Sequence, residues 1–149
     1  VWSYATAKQP NPKLFKKVAD HIIALDDLRA FKVQNLSNIV WAYATAKQPN
    51  PKLFQKVAKS AVERQHEFSS QEIANLLWSY ATNGQLDQHL FLSMAPTIVS
   101  LGDKLTEQEL ANISWAYAVA NVAAPSLFDD HFVITCLEKK NEFTLKSLL

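Results

Sequence analysis

The sequence predicts an all-α solenoid, a stack of antiparallel helix pairs with a 37–38 residue period, on three observations. The opening VWSYATAKQPNPKLF returns from Val40 to Phe54 with one change, Ser3 against Ala42. A W-x-Y-A tetrad starts at Trp2, Trp41, Trp78 and Trp115, and Leu-Phe follows each Trp twelve residues later, at Leu14, Leu53, Leu90 and Leu127. Self-similarity at such a spacing marks supersecondary units that bury their apolar faces against one another. The third observation is compositional. Two glycines leave little material for hairpins, and 48% apolar residues are ample for a core.

A further landmark, Phe31, Phe68, Leu105 and Phe143, sets the unit boundaries. Residues 1–30 are a partial repeat, 31–67, 68–104 and 105–142 are full repeats, and 143–149 begin another, so the chain reads as one continuous slice of a longer array. Within each unit the first helix shows an apolar stripe of helical period, as in Leu36, Ile39, Val40, Tyr43 and Ala44. Ser69 with Glu72 and Thr106 with Glu109 are spaced as capping boxes, whereas the segment Phe31–Gln34 has none and predicts a less defined start.

The second helix opens on NPKLF or its variants. Asn11 and Asn50 suit the N-cap with Pro12 and Pro51 just inside, Asp87 takes the cap in the third unit, and Pro125 the first helical position in the fourth. Pro96, two turns into its helix, predicts a kink or an early break, because an interior proline costs about 3 kcal/mol. Gly102 is placed to end that helix in a left-handed cap.

A second line runs along each first helix, opposite the core stripe: Gln34, Asn38, Trp41, Thr45; then Gln71, Asn75, Trp78, Thr82; then Gln108, Asn112, Trp115, Val119. Two readings are open. In one, Trp wedges between units and Asn38, Asn75 and Asn112 form a buried ladder fixing the register, since an unpaired buried amide would cost about 1–3 kcal/mol. In the other, the amides lie on the surface and hydrogen-bond RNA bases. Ser79 and Asn83, one turn apart and replacing alanines of other units, are candidates for base-specific contacts.

Charge is uneven beneath a net +1. Residues 1–75 hold eleven Lys and Arg against six Asp and Glu, and residues 76–149 hold four against eight. A polyanion would meet the first half more readily. Lys47, Lys52 and Lys56 are the candidates for phosphate contacts, sited in a turn and a second helix where successive units repeat their lysines. The alternative is that the lysines solubilise an exposed face.

Catalytic chemistry has little footing. His21, His66, His89 and His131 share no repeat register, no metal-ligand spacing is present, and no nucleophile–base pair or phosphate loop can be assembled. Asp129 and Asp130, beside His131, read as first-turn acids of a helix opened by Pro125. No catalytic residue, metal, cofactor or small-molecule substrate is therefore expected. The single Cys136 allows no internal disulfide, and no apolar run is long enough to span a membrane.

The strings QEIANLLWSYAT (71–82) and QELANISWAYAV (108–119) resemble the first helix of octotricopeptide-type repeats, relatives of heptatricopeptide repeats and of the leucine-rich region of FAST-kinase-like proteins. The resemblance covers essentially the whole chain. It implies an organelle protein, of mitochondrion or plastid, that binds single-stranded RNA in its stability, processing or translation, alongside other proteins of an RNA-processing complex. A RAP domain, which often ends such proteins, has no counterpart in these 149 residues. Repeat physics also admits a protein-interaction scaffold with a peptide or partner helix on its concave face.

Overall fold

The computed structural model describes residues 11–132 and 134. Trp2 and the rest of the opening half-unit, together with Cys136, Phe143 and the segment 143–149, lie outside the described residues. Those described form helices and turns with no strand, as expected of an α-solenoid. In chain order the helices are α1 (Pro12–Ala24), α2 (Val33–Thr45), α3 (Pro51–Glu63), α4 (Ser70–Thr82), α5 (Gln88–Leu101) and α6 (Glu107–Ala120). Single 3₁₀ turns at Gln65–Glu67 and Gly102–Lys104 join α3 to α4 and α5 to α6.

The first helices α2, α4 and α6 stack on one another as one layer, and the second helices α1, α3 and α5 stack as the other. Small side chains let the first layer pack closely: Ala42, Ala44, Ala74, Ser79, Ala81 and Ala116 are all buried. Ser37 adds a tie between units, its hydroxyl donating to the Glu72 carbonyl at 3.0 Å.

Helix starts follow their cap chemistry. Asn11, Asn50 and Asp87 accept from the amides of Leu14, Leu53 and Leu90 at 3.0–3.1 Å. Ser69–Glu72 and Thr106–Glu109 form complete capping boxes, while α2 starts at Lys32 with no side-chain cap. The fourth unit departs from expectation. Ala124 offers no cap oxygen, so residues 124–128 make only an isolated turn, and helix resumes at Asp130 behind Asp129, which accepts from the Phe132 amide at 2.9 Å. Pro125 is thus not the first residue of that helix.

An early break at Pro96 and a left-handed cap at Gly102 are both absent. Helix α5 runs through Pro96 without breaking, and Gly102 closes it at φ 44°, ψ −121°, a positive φ outside the left-handed helical well. The left-handed caps stand instead on the first helices, at Lys47 (φ 52°), Gly84 (φ 64°) and Asn121 (φ 52°). After each, the next amide reaches back to the tyrosine carbonyl: Gln48 to Tyr43, Gln85 to Tyr80 and Val122 to Tyr117. This is the Schellman closure, and it explains why the position varies among Lys, Gly and Asn. Lysine is the strained occupant. Lys47→Gly should therefore raise stability by about 0.5–1 kcal/mol in a denaturant titration, the relief of strain exceeding the added entropy of an unfolded glycine.

The core's largest repeated feature is a Tyr–Phe clamp between units. The hydroxyls of Tyr43, Tyr80 and Tyr117 donate to the carbonyls of Phe15, Phe54 and Phe91 at 2.5, 2.5 and 2.7 Å. The paired rings meet edge to face with centroids 4.9, 4.9 and 5.1 Å apart. Each clamp joins a first helix to the second helix of the preceding unit. Burial pushes the Tyr43 hydroxyl up to about 12 and raises Tyr80 and Tyr117 as well. A raised phenol pKa means that the fold favours the neutral form. Its contribution is complete below the unfolded value of about 10 and is lost as pH rises through the folded values. Alkaline titration should accordingly show buried phenolate absorbance appearing together with loss of helical circular dichroism, not before it.

Candidate nucleic-acid interface

The second line of the first helices is a surface. Gln34, Asn38 and Thr45 are exposed on α2; Gln71 and Thr82 are exposed on α4, with Asn75 part-buried between them; Gln108 and Val119 are exposed on α6, with Asn112 part-buried. Trp41 and Trp78 are part-buried, and Trp115 is 45% exposed. The buried-ladder reading is thereby overturned. Asn38 faces solvent, and Asn112 accepts from Gln108 of its own helix at 3.1 Å rather than bridging to a neighbour. The indoles do not wedge fully between units, because the buried line that faces the neighbouring helix is filled by alanine and serine. What results is a strip of amides and indoles, repeated on three adjacent helices.

The remaining candidates divide. Lys47 is exposed at the end of the α2 strip, two residues beyond Thr45, and Lys52 is exposed in the first turn of α3. Lys52 borders a cleft of about 280 Å³ with Gln55 of its own helix and Gln85 and Asp87 of the next unit. Lys56 has another role: its ammonium donates to the carbonyls of Ile23, at 2.9 Å, and Leu25, closing the C-terminus of α1. It is a structural cap of the preceding unit.

Ser79 is also corrected. It is fully buried, and its hydroxyl donates to the Asn75 carbonyl one turn back at 2.6 Å, so no base can reach it. Asn83 caps α4 with its backbone and turns its Nδ2 inward, buried without a hydrogen-bond partner, so that donor is not offered to solvent. Asn38, Lys47 and Lys52 are thus exposed and Asn75, Asn112, Asn83 and Lys56 part-exposed, with the Asn83 Nδ2 turned inward and the Lys56 ammonium committed to α1.

Sequence reasoning missed two structural groups. The tyrosine hydroxyl contacts were signalled by Tyr and Leu-Phe recurring together in every unit. Arg64, whose guanidinium donates to the Phe31 carbonyl at 2.8 Å and to Glu67 at 2.7 Å, carried no repeat signal, since Leu25 and Leu101 hold its register in other units. Among the described residues no group of three or more His, Cys, Asp or Glu could hold a metal ion, and no helix is long and apolar enough to cross a membrane.

No curated protein is significantly similar to this chain. Its sequence does match a family profile, that of RNA-editing substrate-binding complex 6 protein, over residues 1–146. A match over nearly the whole length, on an array whose exposed strip is built of amides and indoles, means that the chain belongs to the RNA-editing substrate-binding complex 6 protein family.

Proposed function

We propose that the array binds single-stranded RNA along the face of its first helices, as a non-catalytic component of an organelle RNA-editing assembly. The observation that carries this is the Gln–Asn–Trp line at one register on α2, α4 and α6, accessible on each. Indole faces accept any base by stacking, and primary amides can donate to and accept from base edges. The likeness of residues 71–82 and 108–119 to octotricopeptide-type helices supports the same reading, as does the family's connection with RNA editing. Lys47, at the turn end of the α2 strip, and Lys52, in the first turn of α3, supply sequence-blind attraction to phosphate. RNA and the other proteins of the assembly are the partners on this reading, with no small molecule and no membrane.

Salt titration of RNA binding separates the lysines. Lys47→Gln with Lys52→Gln should weaken binding to all single strands alike and flatten the dependence of log K on log salt by about 0.7 for each phosphate no longer neutralised. Lys56→Gln should leave that slope unchanged and instead lower stability by about 1 kcal/mol, since it removes a charged donor from the α1 carbonyls. An unchanged slope in the double variant would mean that these lysines are solvated surface only.

A further inference from the structure

The cleft that Lys52 borders lies between the first turn of α3 and the turn after α4, and its lining is particular to this boundary between units. Gly84 stands at its edge, where the second unit has Lys47 and the fourth has Asn121. All three residues sit at positive φ, so the chain follows one path and only the side chain differs. A Cβ added to Gly84 would meet nothing within 4 Å, which leaves the space beside it open. Gln55 of α3 and Gln85 of the turn line the cleft, and neither side chain is hydrogen-bonded among the described residues. Gln48, the counterpart of Gln85, instead donates its amide to the Ala46 carbonyl of its own turn at 3.4 Å. At the next boundary the two positions hold Leu92 and Val122, and at the preceding one Lys16 and Gln48. The pair of uncommitted amides therefore occurs once among the described units.

The lining defines what fits. Leu86, 50% exposed, adds an apolar wall. Lys52 and Asp87 balance in charge, and Asp87 is already committed to the Leu90 amide at 3.0 Å. A volume of about 280 Å³ falls below the range of about 300–1,000 Å³ typical of sites for drug-sized ligands. The occupant is thus small and uncharged, apolar on one side and polar along another. A phosphate fails on charge, since the single cation is offset by a carboxylate. A nucleobase meets each condition: its flat face packs on hydrocarbon, and its edge offers donors and acceptors to two primary amides.

We infer that this cleft takes one base of single-stranded RNA, splayed out of the strand as it passes the end of α4, with Gln55 and Gln85 discriminating its identity. The inference rests on the reading of the first-helix face as the RNA surface, since Gly84 stands two residues beyond Thr82, the last residue of the α4 strip. It adds selectivity to that surface. The Gln–Asn–Trp line is the same on all three first helices and treats successive bases alike, whereas the cleft is built once and sets the register of the strand.

The test is selection of bound sequences from a randomised single-stranded RNA pool by the full-length protein, followed by affinity titrations of the selected RNA. Two variants address the cleft independently. Gln55→Leu with Gln85→Val removes both amides, and Gly84→Asn fills the space; each borrows the residues that the next boundary carries at the same register, so circular dichroism should be unchanged. The expected result is that one position of the selected sequence loses its base preference in both variants. Affinity for the selected RNA should fall about tenfold, with the salt slope unaltered. RNA binding that is weakened by Trp→Ala on the strip but keeps every base preference in both cleft variants would overturn this inference alone. A flattened salt slope in the Gln variant would make the cleft a phosphate site and overturn it as well. Failure of the unsubstituted protein to bind any single-stranded RNA would overturn the strip reading and the cleft with it.

Discussion

Replacing Tyr80 with Ala should destabilise the protein by about 3–5 kcal/mol, the range for truncating a buried aromatic, and Trp78→Ala by about 1 kcal/mol. Tyr80 is 1% exposed, donates to the Phe54 carbonyl at 2.5 Å and packs edge to face on the Phe54 ring. Removing it leaves a cavity between the second and third units. Trp78 is part-buried on the outer strip, so water fills the space it vacates. Tyr80→Phe divides the larger effect. The Phe54 carbonyl lies within α3 and retains its helical amide partner, so the loss is that of a net hydrogen bond, about 1 kcal/mol, and not of an orphaned acceptor. With total stability of about 5–15 kcal/mol for a domain, Tyr80→Ala should visibly shift the denaturation midpoint. Equal losses for Tyr80→Ala and Trp78→Ala would show that the tryptophan layer holds the stack as firmly as the Tyr–Phe clamp.

The contrast shows what a single sequence can display. Helix starts are legible because caps are local: one oxygen at Asn50 or Ser69 accepts an amide three residues on, and the sequence alone places both partners. The fourth unit fails for the same local reason, Ala124 having no such oxygen. Stripe assignment is less local. Periodicity shows that Trp41 and Tyr43 point to different sides of α2 but not which neighbour covers each, and the side facing the adjacent first helix proves to be the one lined by Ala and Ser. The bulkiest residue of the repeat therefore stands at the edge of the core, Trp41 packing against it and Trp115 largely exposed. Ser79 and Asn83 mislead in a related way. A polar residue replacing alanine suggests a surface contact, yet the Ser79 hydroxyl satisfies itself on the Asn75 carbonyl of its own helix. Lys56 similarly looks identical to Lys52 in sequence, and only the position of the α1 terminus distinguishes a cap from a free cation.

If the strip is the RNA surface, removing the three indoles together should have the largest effect on binding of any surface change. Stacking of a base on an aromatic side chain contributes about 1–3 kcal/mol, so a single Trp→Ala should weaken single-stranded RNA binding by about 5- to 150-fold, and Trp41→Ala, Trp78→Ala and Trp115→Ala combined by more than any one. The loss should be nearly independent of salt, because stacking releases no counterions, which is the reverse of the behaviour expected for Lys47 and Lys52. It should also be graded along the array. Trp115 is the most exposed of the three and has the most ring surface to offer, while Trp41 and Trp78 present less. Asn38→Ala, Asn75→Ala and Asn112→Ala should then alter preference among RNAs while leaving the salt slope alone, because amides act on base edges. Circular dichroism of the triple tryptophan variant decides how a negative result is read. A folded triple variant that binds RNA with unchanged affinity would remove the first-helix face from RNA binding, and an unfolded one would return the tryptophans to the core.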